Sequence, residues 1–228
     1  MLGLAAEMAR GLIKEIAAAG HEIQSHGYGH RSNFELDESA LRQDLAHNKA
    51  LLEDLIGRPV IGYRAPNFSV DERNLWVLDV LAETGHRYDA SIFPVKTPRY
   101  GIAGYPPEAR IVTTPRGHRL VEAPVACFDW LGRRWAVGGG GYFRLWPYGI
   151  IHKAWRQMEE RGRTGIVYFH PYEYDPTEMK SFKETVSLKQ RLHQGLGRKG
   201  FPRKVDRLLS EFRFGPLDEA LKDLLKEC

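Results

Sequence analysis

The sequence EIQSHGYGH at residues 22–30 decides how this chain is interpreted. Polar and apolar residues alternate up to His26, which predicts a short strand over residues 22–26. Gly27 and Gly29 follow, and because each glycine costs about 1 kcal/mol relative to alanine inside a helix, His26 and His30 are not expected to form a helical pair. We expect both histidines at the C-terminal end of a strand, where α/β folds collect ligands and chemistry.

The two histidines are compatible with a metal site and also with ordinary loop residues. Neutral imidazole is the commonest metal ligand in proteins. A catalytic zinc site usually has three protein ligands and an open position for water, so His26 and His30 alone are one ligand short. The motif by itself leaves both interpretations open.

Helical and strand-like segments alternate along the first half of the chain. Apolar residues recur at helical spacing in three segments, and shorter β-prone runs follow the glycines that end them. The predicted helices cover residues 4–19, 38–56 with Asp37 as N-cap and Gly57 as the stop, and a segment from Asp71 or Glu72 to Gly85; the predicted strands cover residues 60–64 and 88–92.

The second half begins with a proline-rich segment. Five prolines fall within residues 94–119, which predicts a long excursion of the kind that often carries function. A strand over residues 120–126, a helix over residues 147–161 and a strand over residues 165–171 follow. His170 therefore lies near the C-terminal end of the strand predicted over residues 165–171, as His26 does in the strand predicted over residues 22–26. This alternation predicts α/β architecture.

Composition narrows the class of protein. The 228 residues are 43% hydrophobic, which is enough for one sizeable core and predicts a single domain. The sequence contains no apolar run of about 18 residues, so we expect no membrane span. Cys127 and Cys228 lie far apart and form no CxxC motif, which argues against a disulfide framework.

A basic stretch runs from Lys180 to Arg213, where ten lysines and arginines accompany three acidic residues. Nucleic-acid binding is one interpretation, and it predicts an affinity that falls steeply with salt. The stretch contains no recognisable nucleic-acid-binding motif, so a solvated helix face is the favoured interpretation. We therefore expect no nucleic-acid partner.

Six segments spread along almost the whole chain carry a family resemblance. They are HEIQSHGYGHRSNFEL (21–36), GRPVIGYRAPNFSV (57–70), RYDASIFPV (87–95), GGGYFRLWPY (139–148), VYFHPYEYDP (167–176) and EFRFGPL (211–217). Together they resemble the NodB-type polysaccharide deacetylases of carbohydrate esterase family 4, and more narrowly the subfamily associated with exosortase and exopolysaccharide loci. The resemblance implies a distorted (β/α) barrel formed by residues 1–228, with a basic helical C-terminal extension from about residue 180.

The resemblance also implies a metal and two of its ligands. His26 and His30 match the H-x-x-x-H ligands for Zn²⁺ or another divalent metal, which would polarise the acetamide carbonyl and activate a water.

Arg64 matches the arginine of the R-x-P motif that orients the catalytic aspartate, a task that suits a guanidinium. Asn67 matches the position whose backbone N–H holds the tetrahedral oxyanion.

His170 matches the general acid that protonates the leaving amine in the family. Tyr142 and Trp146 are candidates for contact with sugar rings, although aromatic residues near a core more often serve packing. The implied reaction is hydrolysis of N-acetyl groups on hexosamine units of a polysaccharide or oligosaccharide, in exopolysaccharide biosynthesis. The subfamily resemblance favours the cytoplasm.

One part of the family pattern has no counterpart in this sequence. Relatives begin with a strand that ends in an acidic pair, which supplies the general base and the third metal ligand. Here the first strand and its acidic pair are expected to be missing, through a misplaced start, a truncated chain or a degenerate relative. The chain as given is expected to bind Zn²⁺ weakly and to hydrolyse N-acetyl groups poorly. A catalytically inactive carbohydrate-binding relative is the alternative function.

Overall fold

The computed structural model describes residues 1–178 and 187–228, which fall into two compact units. Unit 1 comprises residues 1–124 and 215–228, and unit 2 comprises residues 125–214. Helices and strands occur in both units, which confirms the α/β class. A single domain over residues 1–228 stays a prediction, as does the closure of the strands into a barrel.

Among the described residues, ten α-helices and six strands are defined. In chain order the helices are α1 (Gly3–Met8), α2 (Arg10–Ala18), α3 (Glu38–Ile56), α4 (Trp76–Glu83), α5 (Gly140–Leu145), α6 (Tyr148–Glu160), α7 (Leu188–Gly195), α8 (Phe201–Glu211), α9 (Leu217–Ala220) and α10 (Lys222–Glu227). The strands are β1 (Gly62–Tyr63), β2 (Tyr88–Asp89), β3 (Arg110–Thr113), β4 (Arg119–Glu122), β5 (Cys127–Trp130) and β6 (Arg133–Ala136).

A four-stranded sheet organises unit 1. Its strand order is β1-β2-β4-β3, in which β1, β2 and β4 are parallel and β3 is antiparallel to β4. Ser25 bridges Tyr63 in the parallel sense, so the segment before His26 lies beside β1. The carboxyl ends of the parallel segments therefore lie at one edge, where the loops that follow them carry the candidate site.

Helix α3 shows how directly this sequence encodes some elements. The Asp37 side chain accepts a hydrogen bond from the Ala40 N–H at 2.8 Å, which satisfies one of the free donors at the helix start. Gly57 ends the helix in the left-handed region with φ of 66°, and its N–H donates to the Glu53 carbonyl. Both predicted ends of this helix are confirmed.

Other predicted boundaries are wrong. The helix predicted over residues 4–19 is divided at Ala9 into α1 and α2. The strands predicted over residues 22–26 and 165–171 are reduced to single bridges at Ser25 and Tyr168. Repeated apolar residues indicate which segments are buried, but the length of strand pairing depends on neighbours that are distant in sequence.

The helix predicted from Asp71 or Glu72 begins only at Trp76, and local hydrogen bonds explain the delay. The Asp71 carboxylate accepts from the Arg73 backbone and guanidinium, while the Asn74 side chain accepts from the Asp71 N–H and donates to the Ser69 carbonyl. Such side-chain bonds to the backbone compete with helical hydrogen bonding. The antiparallel partner β3 and the pair β5–β6 are further elements that the sequence analysis missed.

Each unit has its own apolar core. In unit 1, helices α3 and α4 and the sheet bury one cluster, and α1, α2 and α3 bury another. In unit 2, β5, α5, α6 and α8 bury a cluster that includes Phe143 and Trp155.

The predicted basic C-terminal extension is helical where it is described, although residues 179–186 at its start lie outside the described residues. Phe201, Val205 and Leu208 of α8 are buried in the core of unit 2, so this helix is integral to that unit. The last helices belong to unit 1, where the Glu22 carboxylate accepts from the Leu217 and Asp218 N–H groups. None of the described helices is long and apolar enough to cross a bilayer.

The N-cap of α3 gives a first testable prediction. Replacing Asp37 by alanine removes the acceptor for the Ala40 N–H, and such a loss typically destabilises a protein by about 1 kcal/mol. We expect the Asp37→Ala protein to unfold at a lower urea concentration than the unmodified chain, as monitored by far-ultraviolet circular dichroism. The control is Asp54→Ala, at an exposed position in the same helix. Equal midpoints for the two variants would contradict the assignment of Asp37 as a stabilising cap.

Candidate functional site

The loop from His26 to His30 follows the bridge between Ser25 and β1. Gly27 has φ of 74° and His30 has φ of 58°, so the chain turns sharply between the two histidines. Their ring centroids lie 5.2 Å apart with an interplanar angle of 72°. The glycines thus prevent a helix, as predicted, and bring the two imidazoles next to each other.

Helix α3 holds this loop in place. The Asp44 carboxylate accepts from the Tyr28 N–H at 2.9 Å, and the Asn48 amide donates to the Ser25 hydroxyl at 2.9 Å. A Cβ at position 27 would lie 3.0 Å from the Asp44 carboxylate, in a backbone conformation that favours glycine. The well-defined ends of α3 therefore also define where the histidine loop lies.

The His26 ring is oriented by a backbone carbonyl. His26 Nδ1 lies 2.5 Å from the Arg64 carbonyl oxygen. A carbonyl can only accept, so Nδ1 carries the proton and the Nε2 lone pair of the neutral ring is available to a ligand. Burial lowers the pKa of the His26 imidazole to about 4, which keeps the ring neutral at physiological pH.

The residues present fit part of a metal site. His26 and His30 are neighbouring nitrogen donors of the kind that zinc and similar divalent metals take. Within residues 1–178 and 187–228, no group of three or more His, Cys, Asp or Glu side chains is placed to hold a metal. The two imidazoles therefore fit as two ligands, and the described residues supply no third.

Arg64 and Asn67 lie on the segment that follows β1. The Arg64 N–H donates to the Ser25 carbonyl at 3.0 Å, and its side-chain Nε donates to the Ala90 carbonyl at 3.1 Å. Asn67 is exposed and has φ of 58°, a left-handed conformation in which asparagine is enriched. Unit 1 thus brings His26, His30 and Arg64 together, with Asn67 three residues further along the chain.

A pair of buried carboxyl groups lies at the ends of the neighbouring strands β2 and β4. Asp89 and Glu122 are register partners, and both are fully buried. Asp89 Oδ1 accepts from the Ser91 hydroxyl, and Glu122 Oε1 accepts from the Ile92 N–H at 3.0 Å. Among the described residues, Asp89 Oδ2 and Glu122 Oε2 have no other partner, so one proton shared between the carboxyls satisfies both.

Their titration reflects this environment. Burial raises the pKa of Asp89 to about 6. Burial and the adjacent Asp89 charge raise the pKa of Glu122 well above its usual value, against the smaller opposing effect of the Arg64 guanidinium. Two carboxylates side by side in a buried site cannot both ionise easily, so the pair retains a proton at neutral pH.

The sequence analysis did not identify Asp89 or Glu122 as site residues. A signal was present, because each carboxyl interrupts an otherwise largely apolar predicted strand. Charged side chains are almost never fully buried unless they are paired. Two such residues in neighbouring predicted strands therefore indicate a buried pair.

In unit 2, His170 precedes a short 3-10 turn over Pro171–Tyr174. The Glu173 carboxylate accepts from the His170 N–H at 2.9 Å and lies 3.4 Å from His170 Nδ1. Glu173 is fully buried and forms an ion pair with Arg144 at 3.0 Å. The His170 side chain itself remains 44% exposed, so a buried charge pair holds an accessible imidazole.

Tyr142 and Trp146 also belong to unit 2. Trp146 lies within an aromatic cluster, and its ring centroid is 5.6 Å from that of Trp135 and 6.4 Å from that of Trp130. Its indole N–H donates to the Ala136 carbonyl. Tyr142 is half-buried, and burial raises the pKa of its hydroxyl. Sugar contact by these two residues stays a prediction, as does the convergence of His170 with the histidines of unit 1.

Two family models match this chain. Residues 1–88, which contain the histidine loop, Arg64 and Asn67, match the polysaccharide deacetylase family. Residues 90–222 match a domain of unknown function, DUF3473. Of the two buried carboxyls, Glu122 lies inside the second match, whereas Asp89 lies between the two matches and belongs to neither.

A curated relative and two solved structures are similar to the chain. The peptidoglycan deacetylase-like protein FGM2 of Gibberella zeae is 33% identical over 79 residues, which are 35% of this chain and 22% of that protein. The chain thus spans about a fifth of the length of this relative.

Both structures cover 99% of the chain at low identity. A Mycobacterium smegmatis protein assigned as a polysaccharide deacetylase has a TM-score of 0.61 at 21% identity, with 70% of that protein covered. PuuE allantoinase has a TM-score of 0.57 at 16% identity, with 64% covered. These likenesses show a shared α/β fold.

The buried carboxyl pair predicts a specific dependence of stability on pH. An unfolded glutamate titrates near pH 4.3, whereas the folded pair keeps its proton well above that pH. The folded protein therefore binds more protons than the unfolded chain, and its free energy of unfolding falls as the pH rises. In Glu122→Gln the side chain at position 122 no longer titrates, but its amide N–H can still donate a hydrogen bond to Asp89.

We expect the free energy of unfolding of Glu122→Gln, measured relative to that of the unmodified chain, to increase between about pH 5 and about pH 8. The increase is at most about 1.4 kcal/mol per pH unit. Urea unfolding at several pH values measures the difference. The control is Glu83→Gln, because Arg42 and Arg116 hold the pKa of Glu83 at about 2 and its titration ends below this range. A difference for Glu122→Gln that does not change with pH would contradict the shared proton.

Proposed function

We propose that this chain, which belongs to the DUF3473 family through residues 90–222 and matches the polysaccharide deacetylase family over residues 1–88, is a metal-dependent deacetylase. The reaction is hydrolysis of N-acetyl groups on hexosamine units of a polysaccharide, which yields a free amine and acetate. The observation that carries the proposal is the pair of adjacent imidazoles, His26 and His30, in which a carbonyl fixes the tautomer of His26.

His26 and His30 would hold Zn²⁺ or another divalent metal. When bound, such a metal supplies a Lewis acid for the acetamide carbonyl and lowers the pKa of a bound water. The chain prepares His26 for this role, because its Nδ1–H is engaged by the Arg64 carbonyl and its Nε2 lone pair is left for a ligand. The low pKa of His26 supports the same role, since only neutral imidazole binds a metal.

Three further residues have proposed roles in the reaction. The Asn67 N–H would donate to the oxyanion of the tetrahedral intermediate, a role that the exposure and left-handed conformation of Asn67 support. Arg64 would orient a catalytic carboxylate. His170 would protonate the leaving amine from Nε2, while Glu173 accepts at the backbone N–H and lies beside Nδ1.

The biological setting is a finer part of the proposal. The motifs that resemble the exosortase-associated subfamily support a role in exopolysaccharide biosynthesis, and the same resemblance supports the cytoplasm as the location. Tyr142 and Trp146 are proposed to contact the sugar rings of the polymer.

The histidine pair gives the test of the proposed function. In the full-length protein, His30→Ala removes one of the two nitrogen donors, and loss of a metal ligand should reduce acetate release by at least about 100-fold. Acetate release from acetylated chito-oligosaccharides with added Zn²⁺ measures the effect. The matched control is His47→Ala, an exposed histidine on α3 that packs against the Tyr28 ring.

Unchanged turnover in a folded His30→Ala protein would overturn the proposal. Binding of the oligosaccharide without acetate release, in the unmodified protein supplied with Zn²⁺, would instead favour a carbohydrate-binding relative without catalysis. A large loss of activity in His47→Ala would show that the effect at position 30 reflects general damage to the loop and not the loss of a ligand.

A further inference from the structure

The peptide unit between Arg64 and Ala65 is held from both sides. Its carbonyl accepts from His26 Nδ1 at 2.5 Å, and its N–H donates to the Ser91 hydroxyl at 2.7 Å. The peptide unit is planar, so fixing the N–H direction also fixes the direction of the carbonyl. Whatever holds the Ala65 N–H therefore also determines where the acceptor for His26 lies.

Ser91 is in turn held by the buried carboxyl pair. Its hydroxyl has a single proton, which it donates to Asp89 Oδ1 at 2.5 Å while its oxygen accepts from Ala65. Asp89 is a strand partner of Glu122, and Glu122 accepts from the Ile92 N–H next to Ser91. Ser91, Asp89 and Glu122 are all fully buried, so water does not compete for these hydrogen bonds.

The hydrogen bonds run in one direction from the imidazole to the carboxyl. His26 Nδ1–H donates to the peptide carbonyl, the peptide N–H donates to Ser91, and Ser91 donates to Asp89. Bonds arranged head to tail polarise one another, and the effect is larger where the local dielectric constant is low. Because this series of hydrogen bonds ends at the Asp89 carboxyl, it strengthens the hydrogen bond that holds the proton on His26 Nδ1.

We propose that Ser91 is a positioning residue for His26, and that it acts through the Arg64–Ala65 peptide. By joining this peptide to the Asp89–Glu122 pair, Ser91 keeps the proton of His26 on Nδ1 and the lone pair on Nε2. The consequence for metal binding rests on the proposed function, whereas the orientation and tautomer of the His26 ring do not.

Other charged and titratable groups near the carboxyl pair are consistent with this role. The Arg64 guanidinium acts electrostatically on Glu122, and its Nε donates to the Ala90 carbonyl between Asp89 and Ser91. Tyr105 faces the same pair, and burial with these two carboxyls raises the pKa of its hydroxyl. The Arg64 side chain thus binds the loop after β2 at Ala90. Ser91 of the same loop binds the Ala65 N–H and so orients the Arg64 carbonyl.

The experiment compares Ser91→Ala with Ser91→Thr, which keeps the hydroxyl. The matched control is Thr114→Val, because Thr114 also donates from a buried hydroxyl to a buried carboxylate, Asp79, but has no bond to the Arg64–Ala65 peptide. The first measurement is the tautomer of His26 in the metal-free chain, from long-range ¹H–¹⁵N correlation spectra of the imidazole. The second is the affinity for Zn²⁺ by titration calorimetry.

We expect a proton on Nδ1 in the unmodified chain, in Ser91→Thr and in Thr114→Val, and a mixture of tautomers in Ser91→Ala. We expect Ser91→Ala to bind Zn²⁺ about tenfold more weakly, the lower end of the effect seen for groups that orient a metal ligand. An unchanged tautomer and an unchanged affinity in Ser91→Ala would overturn the proposal.

Two further results keep the test decisive. If Ser91→Ala does not fold, the unmodified chain still decides, because a His26 proton on Nε2 would exclude the proposed chain of hydrogen bonds. If no variant binds Zn²⁺, the proposed function fails, whereas a tautomer that changes only in Ser91→Ala supports Ser91 as the positioning residue.

Discussion

The candidate site depends on one hydrogen bond between distant parts of the sequence, from His26 Nδ1 to the Arg64 carbonyl. Its geometry follows from strand register, because Ser25 accepts from the Arg64 N–H and donates to the Gly62 carbonyl, each at 3.0 Å. These two bonds align the segment that ends at His26 with β1. Register and side-chain orientation are therefore a single constraint, since a shift by one residue would turn His26 to the other face.

Polar groups near this edge of the sheet are buried and paired. Asp89 and Glu122 would be costly as two isolated carboxylates, but as register partners on β2 and β4 they share a proton. In unit 2, Glu173 is buried with Arg144 and holds the His170 backbone. Within unit 1 the Arg64 carbonyl engages His26 Nδ1, and within unit 2 Glu173 engages the His170 N–H, so each histidine is held by hydrogen bonds inside its own unit. Such support lets a site on loops keep a defined geometry.

The sequence was most informative where the signal is local. Asp37 and Gly57 predicted both ends of α3, because an N-cap side chain and a left-handed glycine act on neighbouring residues. Gly27 and Gly29 predicted that His26 and His30 are not a helical pair, and the structure places their rings 5.2 Å apart. The strand lengths, the divided helix at Ala9 and the antiparallel partner β3 were not predicted, because they depend on contacts between distant segments.

By itself, the sequence determined the α/β class, the ends of α3, the loop between the two histidines and the motifs that match the deacetylase family. Only the tertiary structure decided that the Arg64 carbonyl selects the tautomer of His26, and that Ser91, Asp89 and Glu122 lie behind it. The physical reason is the range of each interaction. Caps and turns act within a few residues, whereas this network joins residues 26, 64, 91 and 122 through strand register, which one-dimensional patterns do not encode.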